Sequence, residues 1–71
     1  MSFNFLENIL KLSTTKNKYD LHLEWLCYLY KSETDARCIC NRKIHKNVYF
    51  FVNTLNGHVI NVGSKCYKKL K

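Results

Sequence analysis

Cys38-Ile39-Cys40-Asn41 opens, and Val62-Gly63-Ser64-Lys65-Cys66 closes, the stretch on which the reading of this chain turns. Between them lie Val48-Tyr49-Phe50-Phe51-Val52-Asn53, the dipeptide Asn56-Gly57, and His58-Val59-Ile60-Asn61-Val62. The two apolar runs are rich in β-branched and aromatic residues, and Asn-Gly between such runs is a strong hairpin signal. A two-residue turn there predicts the pairs Leu55 with His58, Asn53 with Ile60, Phe51 with Val62 and Tyr49 with Ser64. It places Tyr49, Phe51, Leu55, Ile60 and Val62 on one face, with Phe50, Val52, Thr54, Val59 and Asn61 on the other. Two thiols one residue apart, and a third returned by the hairpin, predict a tetrahedral sulfur site built without a large core. Asn41 suits the left-handed backbone conformation that a metal knuckle calls for.

Beyond the hairpin, Ser64 is read as the cap of a short terminal helix, Lys65 to Leu70. Cys66 then lies at the second helical position, where backbone amides favour the thiolate. The fourth ligand stays open between Cys27, His45, and a water, a partner-chain ligand or no metal at all. His58 sits at the hairpin tip, about 16 Å of strand from the site, and His22 has no partner at ligand spacing. Zn²⁺ is the expected ion, since a sulfur-rich site without a redox signature suits it.

Upstream, Phe5, Leu6, Ile9 and Leu10 predict an amphipathic helix over Ser2 to Leu12, capped by Ser2. Residues 13–18 have no apolar side chain and read as a linker. Asp20 is the expected N-cap of a second helix, Leu21 to about Lys31, with Leu21, Trp25, Tyr28 and Leu29 on one side. Glu24 has only an i to i+7 relation with Lys31 there, so no strong ion pair is expected. The fold expected is α+β: two N-terminal helices, a zinc knuckle, a β-hairpin and a short C-terminal helix, arranged as a treble-clef-like zinc finger. The 71 residues form one domain, a helical part over 1–35 and a basic finger-like part over 36–71.

So short a chain buries too little apolar surface for a wide stability margin, and a metal is the expected staple. Four cysteines also permit two disulfides in three pairings. Met1 to Leu12, however, carries Glu7 and no uninterrupted apolar run, so no secretory signal is read, and an intracellular, thiol-reducing setting is expected. No run reaches membrane-spanning length, and neither a membrane nor a small-molecule substrate is expected as partner.

The net charge of +7 is unevenly placed. Met1 to Asp35 holds four lysines against all five carboxylates; Ala36 to Lys71 holds eight cations and no carboxylate. The cysteine half is therefore the basic half, and its field favours polyanions. Arg42, Lys43, Lys46, Lys65, Lys68, Lys69 and Lys71 are the expected phosphate contacts, with Phe50 or Tyr67 available for base stacking or for packing. Catalysis is not expected: the cysteine half has no carboxylate to act as base or to orient a histidine. The alternative role is protein interaction as a homodimer, because Phe3, Phe5, Trp25, Tyr28, Tyr30, Phe50 and Phe51 exceed what so small a core needs.

Glu24-Trp25, Cys38-Ile39-Cys40-Asn41, Asn53, Asn56-Gly57 and Val62 through Leu70 together resemble small cysteine modules of large DNA viruses, phages and some bacteria. The resemblance covers about two thirds of the chain and implies a zinc-binding fold and a viral setting more than an activity. In those modules a Gly-His or Asn-His pair often follows the second cysteine; here Arg42 stands at the histidine position.

Overall fold

A computed structural model describes residues 4–33 and 35–70. The chain runs α1 (Phe5–Lys11), a 3-10 turn (Lys18–Asp20), α2 (Leu21–Glu24), β1 (Trp25–Lys31), β2 (Ala36–Arg37), β3 (Lys43–Ile44), β4 (Val48–Asn53), β5 (Val59–Val62) and α3 (Ser64–Leu70). This is an α+β architecture with two antiparallel sheets, one ordered β1-β4-β5 and a small one made of β2 and β3.

Helix α1 starts later than expected. Asn4 caps it, its side chain accepting the Glu7 N–H at 3.1 Å, and Ser2 and Phe3 lie outside the described residues. The expected stripe holds: Phe5 and Ile9 are buried, and Leu6 and Leu10 pack against the same cluster.

The largest correction concerns Leu21 to Lys31. Only Leu21–Glu24 is helical, without a side-chain cap from Asp20, and Trp25–Lys31 is a strand paired with β4. Short apolar runs carry helical and strand spacing at once, and here the composition decides. Trp25, Cys27, Tyr28 and Tyr30 are poor helix formers that fit a pleated surface. The exposed edge of β4 supplies the backbone partners. Thus Leu21 and Trp25 are buried as expected, whereas Leu26, Tyr28, Leu29 and Tyr30 are 57, 51, 41 and 49% exposed. A bulge between Cys27 and Leu29 leaves Tyr28 out of the pairing.

The hairpin forms with a longer turn than the Asn-Gly signal implies. Phe51 faces Ile60 and Tyr49 faces Val62, a shift of two residues that leaves the side chains within β4 and β5 on their expected faces because strand periodicity is two. Asn53 causes the shift. Its Oδ1 accepts the Leu55 and Asn56 N–H groups at 2.8 and 3.2 Å, so the turn starts at 53 and Leu55 leaves the core for solvent. Gly57 closes it at φ 82°, a conformation suited to glycine.

One face of the large sheet carries the core. Trp25, Phe51, Ile60 and Val62 meet Phe5 and Ile9 of α1 and Cys66 and Leu70 of α3 in one cluster that also takes in Cys38 and Cys40. The thiols therefore lie at the margin of the core.

Candidate metal centre

Residues Ala36 to Ile44 form a small hairpin whose tip is the Cys-x-Cys knuckle. Ala36 pairs with Ile44 and Arg37 with Lys43, the Cys38 N–H reaches the Arg42 carbonyl at 2.8 Å, and the Asn41 N–H returns to the Cys38 carbonyl at 2.8 Å. Closing so tight a turn requires a left-handed residue, and Asn41 has φ 70° as expected. The tip is tied down on both sides. The Ile39 N–H donates to the Asn61 carbonyl on β5 at 2.8 Å, and the Asn8 side chain of α1 donates to the Ile39 carbonyl at 2.9 Å.

The third thiol arrives on α3. Gly63 accepts the first helical hydrogen bond, from Tyr67, which puts Cys66 in the first turn. Tyr67 holds the helix in place by stacking on Tyr49 at 4.0 Å and 10°. That contact commits Tyr67 to packing. The sulfurs of Cys38, Cys40 and Cys66 all lie within 4.8 Å of one another, and all three residues are buried. Such a cluster could hold a metal ion through three soft ligands.

The electrostatics of the thiol cluster differ from those expected of a helix N-terminus. Burial pushes the Cys66 thiol up to about 12, helped by the neighbouring Cys38 and Cys40 sulfurs, and outweighs the helix start. Burial also opposes ionisation of Cys40, but the Arg42 backbone N–H, hydrogen bonds from the other two thiols and the Arg42 charge hold that thiol below its ordinary value. Cys40 thus carries negative charge more readily than Cys66, and a bound cation would displace protons from the cluster.

Neither fourth-ligand candidate belongs to the trio. Cys27 stands outside the trio, on β1 opposite Phe51, with its thiol directed to the Leu29 carbonyl at 3.7 Å. His45 lines the open cavity of about 700 Å³ onto which the three cysteines face, and its Nδ1 lies 3.1 Å from Asp35 Oδ1. Arg42, Lys43, Lys46, Lys65 and Lys69 line the same cavity. Lys68 lies on α3 outside it, and Lys71 is outside the described residues. Phe50 is half-buried on the other face of the sheet, with the Lys31 ammonium 5.9 Å above its ring.

No protein family, curated protein or solved structure matches the chain.

Sequence reasoning missed a second centre. Among the described residues, Glu24 is the one buried charged side chain, 3% exposed. Its carboxylate accepts the Thr14 N–H and hydroxyl, both at 2.7 Å, the Thr15 N–H at 3.3 Å and the Asn53 amide at 2.6 Å. Its carbonyl accepts the Thr54 N–H at 2.8 Å. Burial works against the charged form, but these donors prevail and hold the Glu24 carboxyl below its ordinary value. The available signal was a carboxylate wedged beside Trp25 at the head of an apolar run, together with an asparagine ending another.

Proposed function

We propose that the protein is a small structural-zinc module, treble-clef-like in plan, that binds nucleic acid through its basic half. The observation that carries this reading is the meeting of five cations, Arg42, Lys43, Lys46, Lys65 and Lys69, around the cavity that the three cysteines line, with no carboxylate from the described residues in that lining. A Zn²⁺ on three thiolates carries one net negative charge, so the rim stays strongly positive and free to contact phosphates. On this reading His45, outside the thiol cluster but in the lining of the same cavity, turns inward to complete the zinc site. Its hydrogen-bonded Asp35 leaves the other ring nitrogen for the metal, the arrangement in which metal-binding histidines are oriented.

The role is non-catalytic. Glu24, the buried carboxylate, is saturated by four hydrogen bonds, which suits a structural part rather than proton transfer. The four free cysteines suit a reducing intracellular compartment, and the motif resemblance suits a viral one. Among the described residues no helix is long and apolar enough to cross a membrane.

Phosphate binding is tested by titrating labelled single- and double-stranded DNA and RNA at several salt concentrations. Five phosphate contacts give a slope of log affinity against log salt of about −3.5 to −4.5; absence of binding at low salt refutes the role. A second reading, homodimerisation, is favoured by the open sheet face, where Leu26, Tyr28, Leu29 and Val59 are each more than two-fifths exposed. Sedimentation at high protein concentration tests it, and a monomer throughout removes it.

A further inference from the structure

The cations beside the thiols line a concavity, and that shape bears on which phosphates they can reach. They come from two elements, Arg42, Lys43 and Lys46 from the knuckle hairpin and the loop after it, and Lys65 and Lys69 from α3, one turn apart. The cavity of about 700 Å³ falls in the size range of a small-molecule site. A duplex presents its phosphates on a convex cylinder, which meets the rim of such a concavity but does not enter it. A strand end enters without distortion.

The lining also lacks an exposed Phe, Tyr or Trp ring on which a base could stack. Two ring side chains line the cavity: His45 is paired with Asp35, and Phe5 is 3% exposed, committed to the core with the Lys69 ammonium 5.5 Å above its ring. Tyr67 is stacked on Tyr49. With Phe5 buried, His45 assigned to the metal on the reading above, and five cations in the lining, the ligand best matched is one with its charge concentrated at a point. A phosphate monoester carries about −1.5 to −2 near neutral pH and three terminal oxygens; an internal phosphodiester carries about one charge.

We propose that this cavity binds the terminal phosphate monoester of a nucleic-acid strand, with Arg42, Lys65 and Lys69 as its principal contacts. The assignment rests on the nucleic-acid reading above and narrows it from backbone binding to end binding.

The test compares the binding of the zinc-loaded full chain to a 5′-phosphorylated single-stranded oligonucleotide, its 5′-hydroxyl twin, a 3′-phosphorylated version and a nucleoside 5′-monophosphate, at fixed salt. A phosphorylated end, 5′ or 3′, binds roughly tenfold more tightly than the hydroxyl twin, the worth of one added charge-assisted contact. The double variant Arg42→Gln, Lys65→Gln loses that preference, while Lys16→Gln, an exposed lysine of the acidic half, keeps it; circular dichroism checks that each variant is folded. Equal binding of phosphorylated and hydroxyl strands overturns end recognition and leaves backbone binding standing. Failure of every oligonucleotide to bind overturns both. A free monophosphate binding as tightly as the phosphorylated strand overturns the assignment to a strand end.

Discussion

Glu24 shows how much one side chain can organise. A carboxylate removed from water is costly unless hydrogen bonds replace its hydration, and here the donors come from Thr14, Thr15 and Asn53. One group thereby joins the linker after α1, the start of β1 and the hairpin turn. Glu24→Ala strands those donors, and urea denaturation is expected to show a loss of about 2–4 kcal/mol. Because the folded carboxyl is held below its ordinary value of 4.5, its contribution is present above that pH and is lost as pH falls through the lower folded value. Glu24→Gln flattens that part of the acid limb of a stability profile; an unchanged limb argues against it. At the thiols, Cys38→Ser, Cys40→Ser and Cys66→Ser each abolish tight zinc binding in native mass spectrometry, whereas Cys27→Ser retains it. His45→Ala alters the Co²⁺ absorption spectrum by replacing a nitrogen ligand, and an identical spectrum rules out His45 as the fourth ligand.

Among the elements, β1 and the β4–β5 hairpin differ in how far local sequence specifies them. The hairpin faces were legible because period two survives a register error of two residues, so Phe51, Ile60 and Val62 were placed in the core whichever turn formed. Residues 25–31 were not legible in the same way. Trp25, Tyr28 and Leu29 satisfy helical spacing, and the strand form gains its advantage from β4, a partner that local sequence does not reveal. Amide hydrogen exchange checks the assignment: amides of β1 that bond to β4 are protected in the pattern of an edge strand, and continuous protection over 25–31 contradicts it. The turn offers a cleaner test. Gly57 has φ 82°, and nothing lies within 4 Å of the place an added methyl group would take, so Gly57→Ala costs backbone strain alone, about 1–2 kcal/mol by thermal or urea unfolding.

For the molecule as a whole, the two centres divide the work of holding a 71-residue chain together. Glu24 and Asn53 fasten the turn end of the hairpin, and a metal held by the three thiols would fasten the knuckle to α3. Metal at a hundredfold excess over its dissociation constant adds about 2.7 kcal/mol, which for a domain of this size corresponds to about 10–20 °C in Tm. Differential scanning calorimetry with and without chelator measures this, and an unchanged Tm indicates that the cluster does not hold a metal of consequence.

Local spacing and composition were enough to establish the knuckle, the hairpin strands and their faces, the terminal helix, and the coincidence of cysteines with cations. The signals were Cys-x-Cys followed by Asn41, alternation along Val48 to Asn53, and the absence of carboxylates after Asp35. Contacts between distant segments were needed to make Trp25 to Lys31 a strand, to let Asn53 set the turn, to hold Cys27 apart from the other thiols, and to bury Glu24. Those outcomes follow from which groups meet across the fold, where a pairing edge or a set of converging donors outweighs local preference. Cys38, Cys40 and Cys66 belong to both kinds: their spacing announced a site, and Asn8, Asn61 and the Tyr49–Tyr67 stack brought it together.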